Sequence, residues 1–160
     1  MKARLPLAPL APLAVAFLAT FLVGAASAQQ PSAAADPLAA AAAEKGAVVT
    51  PSGLVYRALE EGKGDSPTPA DTVRVHYRGR FPDGREFDSS HSRGQPASFP
   101  LNRVIRCWTE GVQRMKVGGK AKLTCPAAIA YGERGAGGVI PPNAILQFEV
   151  ELLGITKAPS

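Results

Sequence analysis

The sequence predicts an α+β fold in which a curved antiparallel sheet of about five to six strands wraps around one short α-helix. Three segments, 73–78, 120–125 and 146–152, alternate apolar and polar residues with period two. This period is typical of strands that cover a core on one face only, and such strands favour an antiparallel sheet. Only the segment 105–115 has apolar residues at helical spacing. A single short helix must therefore cover the sheet.

Further strands are indicated by turn signals and by short apolar runs. A first strand is expected over 54–59. The strand that begins at 73 is followed by the turn signal Pro82-Asp83-Gly84 and by a returning arm over 85–88.

Outward charges on the last two strands bear on their pairing. Lys120 and Lys122 point away from the core on one strand, and Glu149 and Glu151 do so on the other. Opposite charges that face each other across neighbouring strands stabilise the pair. The acids can pair with the lysines if these two strands are neighbours.

The helix is predicted from one apolar stripe. Ile105, Trp108, Val112 and Met115 fall at helical spacing, and Gly118-Gly119 stops the helix. The sole tryptophan would then lie where the helix packs on the sheet.

Length and charge restrict the class of protein. The chain has 160 residues, with 18 Lys and Arg against 13 Asp and Glu, which permits one ordinary domain with a tail and excludes a multidomain enzyme. Lys2 and Arg4 lie near the N-terminus, and the other basic residues form no long block. Nucleic-acid binding is therefore not expected.

Residues 1–28 have the pattern of an export signal. Basic residues precede an apolar stretch, and Ala26-Ser27-Ala28 supplies the small residues that signal peptidase accepts. Cleavage after Ala28 is the favoured interpretation, and an uncleaved membrane anchor is the alternative. Three prolines interrupt the apolar run and favour the cleaved form. The mature chain would then be periplasmic, with no membrane association.

Residues 29–49 are expected to form an alanine-rich tether, because they contain no aromatic residue with which to build a core. A short helix over 38–45 agrees with the propensity of alanine, although it would be marginal without packing. The folded domain is expected over 50–157 and a short tail over 158–160.

Three collinear stretches carry a resemblance to a known family. They are VHYRGRFPDGREFDSS at 75–90, VIRCWTEGVQRMKVGGKAKLTCP at 104–126 and AYGERGAGGVIPPNAILQFEVELL at 130–153. Together they closely resemble the FKBP family of peptidyl-prolyl cis-trans isomerases. The resemblance implies an FKBP-like fold and an enzyme that rotates X–Pro bonds in unfolded or partly folded exported proteins. A monomer is expected, because residues 29–49 are too few for the dimerisation region of some relatives.

By this resemblance, an apolar bowl between the helix and the sheet receives proline. Trp108 would form the floor, and Asp88 would lie at the rim beside Tyr77. The Tyr131 hydroxyl and the Ile105 backbone N–H would donate hydrogen bonds to ligand carbonyls. The resemblance implies catalytic roles for Tyr77, Phe87, Asp88, Tyr131 and Phe148, and substrate-binding roles for Val104, Ile105, Trp108, Val139 and Ile140.

Each of these positions also has a structural interpretation. Aromatic residues at inward strand positions commonly pack in a core. A buried tyrosine hydroxyl commonly needs a partner, and an aspartate near a turn commonly caps backbone N–H groups. Spacing alone leaves both interpretations open, and the collinear match favours the site.

Three positions depart from the family pattern. Ala97 stands where many members have an aromatic residue in the pocket wall, and Ala136 stands where the best-known members have a histidine. Cys107 replaces a glycine before the tryptophan. The two alanines imply a more open bowl, in which the macrolide ligands of the family are expected to compete, but weakly.

The two cysteines are expected to meet in the core. Cys107 flanks the apolar stripe of the helix, and Cys125 has inward strand parity. In an exported protein this favours a disulfide, with two unbridged buried thiols as the alternative. The sequence has no Cys-x-x-Cys motif and no set of metal ligands, so neither a metal nor a cofactor is expected.

Two functions are compatible with the same bowl. The first is the isomerase. The alternative is a periplasmic chaperone or peptide-binding module that holds clients in the pocket without turnover.

Overall fold

A computed structural model describes residues 35–159 of the chain. The expected signal sequence at 1–28 and the first part of the expected tether lie outside the described residues. Within the described range, no helix is long and apolar enough to cross a membrane.

The described residues form two short α-helices and seven strands. In chain order they are α1 (Pro37–Ala42), β1 (Ala47–Val49), β2 (Val55–Glu60), β3 (Thr72–Arg80), β4 (Glu86–Ser89), β5 (Ala97–Pro100), α2 (Arg106–Val112), β6 (Lys120–Cys125) and β7 (Leu146–Thr156).

The strands form one antiparallel sheet in the order β1-β2-β6-β7-β3-β4. The strand β5 also pairs with β3, along the half of β3 that β4 does not cover. The α+β class and the antiparallel sheet are thus confirmed. The sheet has seven strands rather than the five to six expected. The difference arises because β1 and β5 have three and four residues, too few to show a period.

The strands β6 and β7 are neighbours, and Lys120 and Lys122 lie opposite Glu151 and Glu149. The closest ion pairs of the two lysines, however, involve other residues. The Lys122 Nζ lies 2.6 Å from an Oε atom of Glu44, in the loop after α1, and the Lys120 Nζ lies 3.2 Å from an Oε atom of Glu60.

The folded region begins before residue 50. The helix α1 contacts the outer side of β2 and β6, where Val55 and Thr124 are paired and almost fully buried. Asp36 caps α1 through a hydrogen bond from the Leu38 N–H. Residues 37–49, which were expected to belong to a tether with a possible short helix, form α1 and β1. Helix packing, strand pairing by β1 and the ion pairs of Glu44 hold this segment without any aromatic residue.

The helix α2 packs closely against the concave side of the sheet. A Cβ atom at Gly111 would lie 2.7 Å from a methyl carbon of Leu123, so only glycine permits this approach. The helix ends at Val112, earlier than the apolar stripe predicted, but Met115 remains buried in the turn that follows. The disulfide between Cys107 and Cys125 joins α2 to β6 at this contact.

Candidate active site

A cavity of about 310 Å³ opens between α2, the concave face of the sheet and the segments that follow β5 and β6. Its wall is mainly aromatic and aliphatic, with a few polar groups. It is lined by Tyr77, Phe87, Asp88, Phe99, Arg103, Val104, Ile105, Trp108, Tyr131 and Phe148.

Trp108 forms the floor of the cavity and is only 4% exposed. Three rings stand nearly perpendicular to its indole: Tyr77 at 5.2 Å, Phe99 at 5.6 Å and Phe148 at 5.5 Å between centroids. Edge-to-face pairs of this kind stabilise aromatic clusters beyond the burial of their area. The indole is therefore held in one orientation from three sides.

A glycine makes room for two of the aromatic walls. Gly79 lies within β3, and a Cβ atom there would lie 2.6 Å from the Phe87 ring and 3.0 Å from the Phe148 ring. These two rings pack perpendicular to each other at 5.6 Å. Glycine weakens a strand interior and commonly marks a close approach by another group. Here the close approach is the aromatic wall itself.

Three polar side chains form a closed triangle at the rim. The Tyr77 hydroxyl donates to one carboxylate oxygen of Asp88 at 2.5 Å. The Arg93 guanidinium donates to the other oxygen at 2.7 Å and to the Tyr77 hydroxyl at 2.8 Å. Asp88 comes within reach of Tyr77 because it lies opposite Gly79 on the neighbouring strand.

The triangle fixes the protonation states of its members. Burial raises the pKa of Asp88, but hydrogen bonds from Tyr77 and Arg93 and the charge of Arg93 outweigh it, so the pKa lies below its usual value. Burial and the hydrogen bond to Asp88 raise the pKa of Tyr77. Near pH 7 the pair is therefore a carboxylate and a neutral phenol, which suits orientation rather than nucleophilic attack.

Two residues with hydrogen-bond donors, Ile105 and Tyr131, border the cavity. Ile105 caps α2, and its carbonyl accepts the N–H groups of Trp108 and Thr109 at 2.9 and 3.1 Å. Its own N–H has no backbone partner within residues 35–159. Tyr131 is 39% exposed at the rim.

Eight of the ten predicted site residues border the cavity, and Val139 and Ile140 do not. Val139 is 57% exposed, whereas Ile140 is buried in the core. The cause is a local ring of hydrogen bonds, in which the N–H and C=O groups of Ala136 and Ile140 pair with each other. This pairing closes the glycine-rich loop on itself and turns Ile140 inward.

Two lining residues were not predicted. Phe99 lies on β5 opposite Val73, and its ring contacts Tyr77 and Trp108 edge-on. Ala97, which stands where many family members have an aromatic residue in the pocket wall, packs against the core and does not border the cavity. The alternation of Ala97 and Phe99 along β5 is a signal that could have identified Phe99. Arg103 belongs to no pattern in the sequence.

The disulfide lies directly behind the floor. Cys107 precedes Trp108 in α2, and both sulfur-bearing residues are fully buried. The Cα atoms of Cys107 and Cys125 are 5.8 Å apart, within the usual range for a disulfide. Of the two interpretations left open by the sequence, the bridged one is present.

Comparison with known proteins gives consistent matches. The family model described as FKBP-type peptidyl-prolyl cis-trans isomerase matches residues 63–153. The chain is 52% identical over 118 residues to the FKBP-type peptidyl-prolyl cis-trans isomerase FkpA of Escherichia coli K12, covering 74% of this chain and 43% of the relative. It is 55% identical over 120 residues to FkpA of Aeromonas hydrophila, covering 75% and 44%.

The crystal structure of FkpA from Escherichia coli superposes with a TM-score of 0.74 at 50% identity, covering 76% of this chain and 57% of that one. The matches to the two curated FkpA relatives cover 43% and 44% of their length, so this chain spans less than half of each. The residues matched by the family model contain the strands β3 to β6, most of β7, the helix α2 and every residue that lines the cavity. The chain belongs to the family of FKBP-type peptidyl-prolyl cis-trans isomerases.

Proposed function

We propose that this chain is a peptidyl-prolyl cis-trans isomerase that speeds X–Pro rotation in exported proteins and so assists their folding. The observation that carries the proposal is the apolar cavity with Trp108 as its floor and ligand hydrogen-bond donors at its edge. Its volume of about 310 Å³ lies in the range of small-ligand sites. A proline ring with its adjoining peptide groups is a ligand of suitable shape and polarity.

Such a cavity supplies what the reaction needs. Rotation about an X–Pro bond has a barrier of about 18–20 kcal/mol because amide resonance is lost, yet no covalent bond breaks. A twisted amide is less dipolar than a planar one, so a dry aromatic wall disfavours the ground state more than the transition state. Each further 1.36 kcal/mol of this difference, approximately, gives a tenfold faster rate.

Different residues hold the proline ring and surround the amide bond that rotates. Trp108, Phe148 and Val104 hold the proline ring, while the Ile105 N–H and the Tyr131 hydroxyl bind carbonyl oxygens on either side of it. Phe87 keeps water from the rotating amide. Asp88 and Arg93 keep the Tyr77 ring in place, so the wall does not yield as the peptide turns.

The proposal also covers the location of the protein, its substrates and its ligands. The signal-like pattern at 1–28 and the buried disulfide support a periplasmic protein, since disulfides persist in oxidising compartments. The substrates are proline-containing unfolded or partly folded chains. The macrolides of the family occupy the same cavity, and titration against the fluorescence of Trp108, the sole tryptophan, tests this by a saturable change.

The activity is tested by the exchange rate between cis and trans forms of a proline peptide, measured by NMR without a coupling protease. The wild type accelerates exchange, and Phe87→Ala loses most of the acceleration. Leu59→Ala, an exposed position on β2 outside the cavity, keeps it. A wild-type rate equal to that of the free peptide would contradict the proposal. A chaperone without turnover would bind the peptide and leave its exchange unchanged.

A further inference from the structure

The wall of the cavity carries an unbalanced positive charge. Among the described residues that border the cavity, Asp88 and Arg103 are the charged ones. Both oxygens of Asp88 accept hydrogen bonds, and its charge is offset by Arg93 at 2.7 Å. Arg103 takes part in none of the ion pairs formed within residues 35–159. A peptide in the cavity therefore meets a cation without a partner.

The segment that carries Arg103 is anchored on both sides. Arg103 ends the short 3-10 turn Leu101–Arg103, and Leu101 is fully buried. The Leu101 N–H donates to the Asp71 carbonyl at 2.9 Å, and the Leu101 carbonyl accepts the Thr109 hydroxyl at 2.7 Å. The exposed Arg103 thus extends from a fixed base beside Ile105, which holds the ligand.

We propose that Arg103 makes the enzyme select prolines flanked by an acidic side chain, a specificity that rests on the isomerase function proposed above. A guanidinium binds a carboxylate through up to two parallel, charge-assisted hydrogen bonds. Neighbouring Cα atoms of a peptide are about 3.8 Å apart, so the residues next to a proline seated on Trp108 lie beside the cavity wall. A lysine in the same place is repelled by Arg103, and a glutamine is indifferent to its charge.

The preference is tested with two series of short peptides of equal length. One series carries Glu, Gln or Lys before the proline, and the other carries them after it. The value of kcat/KM is obtained from NMR exchange at about 20 mM and about 500 mM salt. The wild type favours Glu over Lys by about two- to fivefold in at least one series, the range expected for a solvent-exposed ion pair. The ratio falls toward one at high salt, because ions screen exposed charges.

Three variants test whether Arg103 causes the preference for Glu over Lys. Arg103→Gln brings the Glu-to-Lys ratio to about one, and Arg103→Lys retains most of it. Arg106→Gln is the matched control, since Arg106 is an exposed arginine nearby that does not border the cavity, and it keeps the wild-type ratio.

Three other outcomes would each contradict part or all of the proposal. Equal acceleration of Glu and Lys peptides in both series by the wild type overturns the specificity and leaves the isomerase function standing. A ratio that persists in Arg103→Gln overturns the assignment to Arg103. Absence of acceleration for every peptide overturns the isomerase function and this inference together.

Discussion

The two faces of the sheet are built from the same strands but are held by different forces. On β6, Ala121, Leu123 and Cys125 point to the concave side and are fully buried. Lys122 lies between them in sequence, points to the convex side and pairs with Glu44. The concave side thus combines dense apolar packing with the cavity, whereas charged pairs cover much of the convex side.

This difference indicates that packing on the concave face, rather than the ion pairs of the convex face, keeps the site rigid. Apolar side chains in a packed core are sensitive to changes of a single methylene, because few voids can absorb them. Partly exposed ion pairs contribute little, since water and salt screen them. The orientation of Trp108 and its neighbouring rings should therefore depend on residues of the concave face, even on distant ones. It should depend hardly at all on charged residues of the convex face, even where these are adjacent in sequence to concave residues.

The largest effect is expected from adjacent residues of β6 that face opposite ways. Leu123→Ala removes a fully buried side chain that contacts α2 and should lower the free energy of unfolding by about 2–5 kcal/mol. Lys122→Ala should lower it by about 1 kcal/mol or less. Denaturant unfolding at fixed pH measures both, and equal losses in the two variants would contradict the contrast.

The disulfide should be the next largest contributor on the concave side. It closes a loop with a sequence separation of 18, for which the chain-entropy model gives about 3 kcal/mol. The double variant Cys107→Ala with Cys125→Ala should lose about this much stability in the absence of reductant. Denaturant unfolding in the presence of reductant should narrow the gap, because the wild-type bridge opens once the chain unfolds. A double variant as stable as the oxidised wild type would show that the bridge adds nothing.

A single methyl group at Gly79 should disturb the site by displacing two of the rings that line it. Gly79→Ala forces the Phe87 and Phe148 rings to move, with an expected loss of about 1–3 kcal/mol in stability. Isomerase activity should fall by about ten- to a hundredfold, since small displacements of positioning groups have effects of that size. The control is Gly154→Ala on β7, where a Cβ atom meets nothing within 4 Å and φ is not in the left-handed region. Similar activities in the two variants would contradict the packing argument.

The sequence predicted those parts of the fold that repeat a pattern. The strands β3, β6 and β7 are long enough to show their alternation, and the stripe on α2 is unambiguous. A short helix was anticipated within segment 37–49, but the packing of that helix and the strand β1 were not, because both depend on tertiary contacts. Glu44 must meet Arg57 and Lys122, which are distant in sequence, before the helix and β1 gain stability.

The site was predictable where it coincided with long collinear motifs. Tyr77, Asp88 and Trp108 lie within such stretches, and the cavity contains all three. The residues that differ from the expected lining do so because of geometry that no local pattern records. The hydrogen bonds between Ala136 and Ile140 turn Ile140 away from the cavity. No local pattern shows that Arg103 borders the cavity, or that it forms none of the ion pairs within residues 35–159.

A buried carboxylate offers the sharpest contrast with the convex ion pairs, and its stabilising effect is lost only in acid. The Asp71 side chain is 4% exposed and accepts the N–H groups of Thr68 at 2.8 Å and Ala158 at 3.1 Å. The Thr68 N–H lowers the pKa of Asp71 from 3.8 to about 2, with Ala158 and Lys157 assisting and burial opposing. Because the folded pKa lies below the unfolded one, the stabilisation is present above pH 4, approximately, and is lost as the pH falls toward about 2.

Asp71→Asn should therefore be less stable than the wild type near neutral pH, and the difference between the two should shrink between about pH 4 and pH 2. The exposed pair of Asp83 and Arg85 provides the comparison, since both side chains are more than half exposed. Asp83→Asn should differ little from the wild type at neutral pH, because water screens that pair. Denaturant unfolding as a function of pH measures all three proteins. A constant difference between wild type and Asp71→Asn across this range would mean that the side chain stabilises the fold by its shape and hydrogen bonds alone, and that its charge has no part in it.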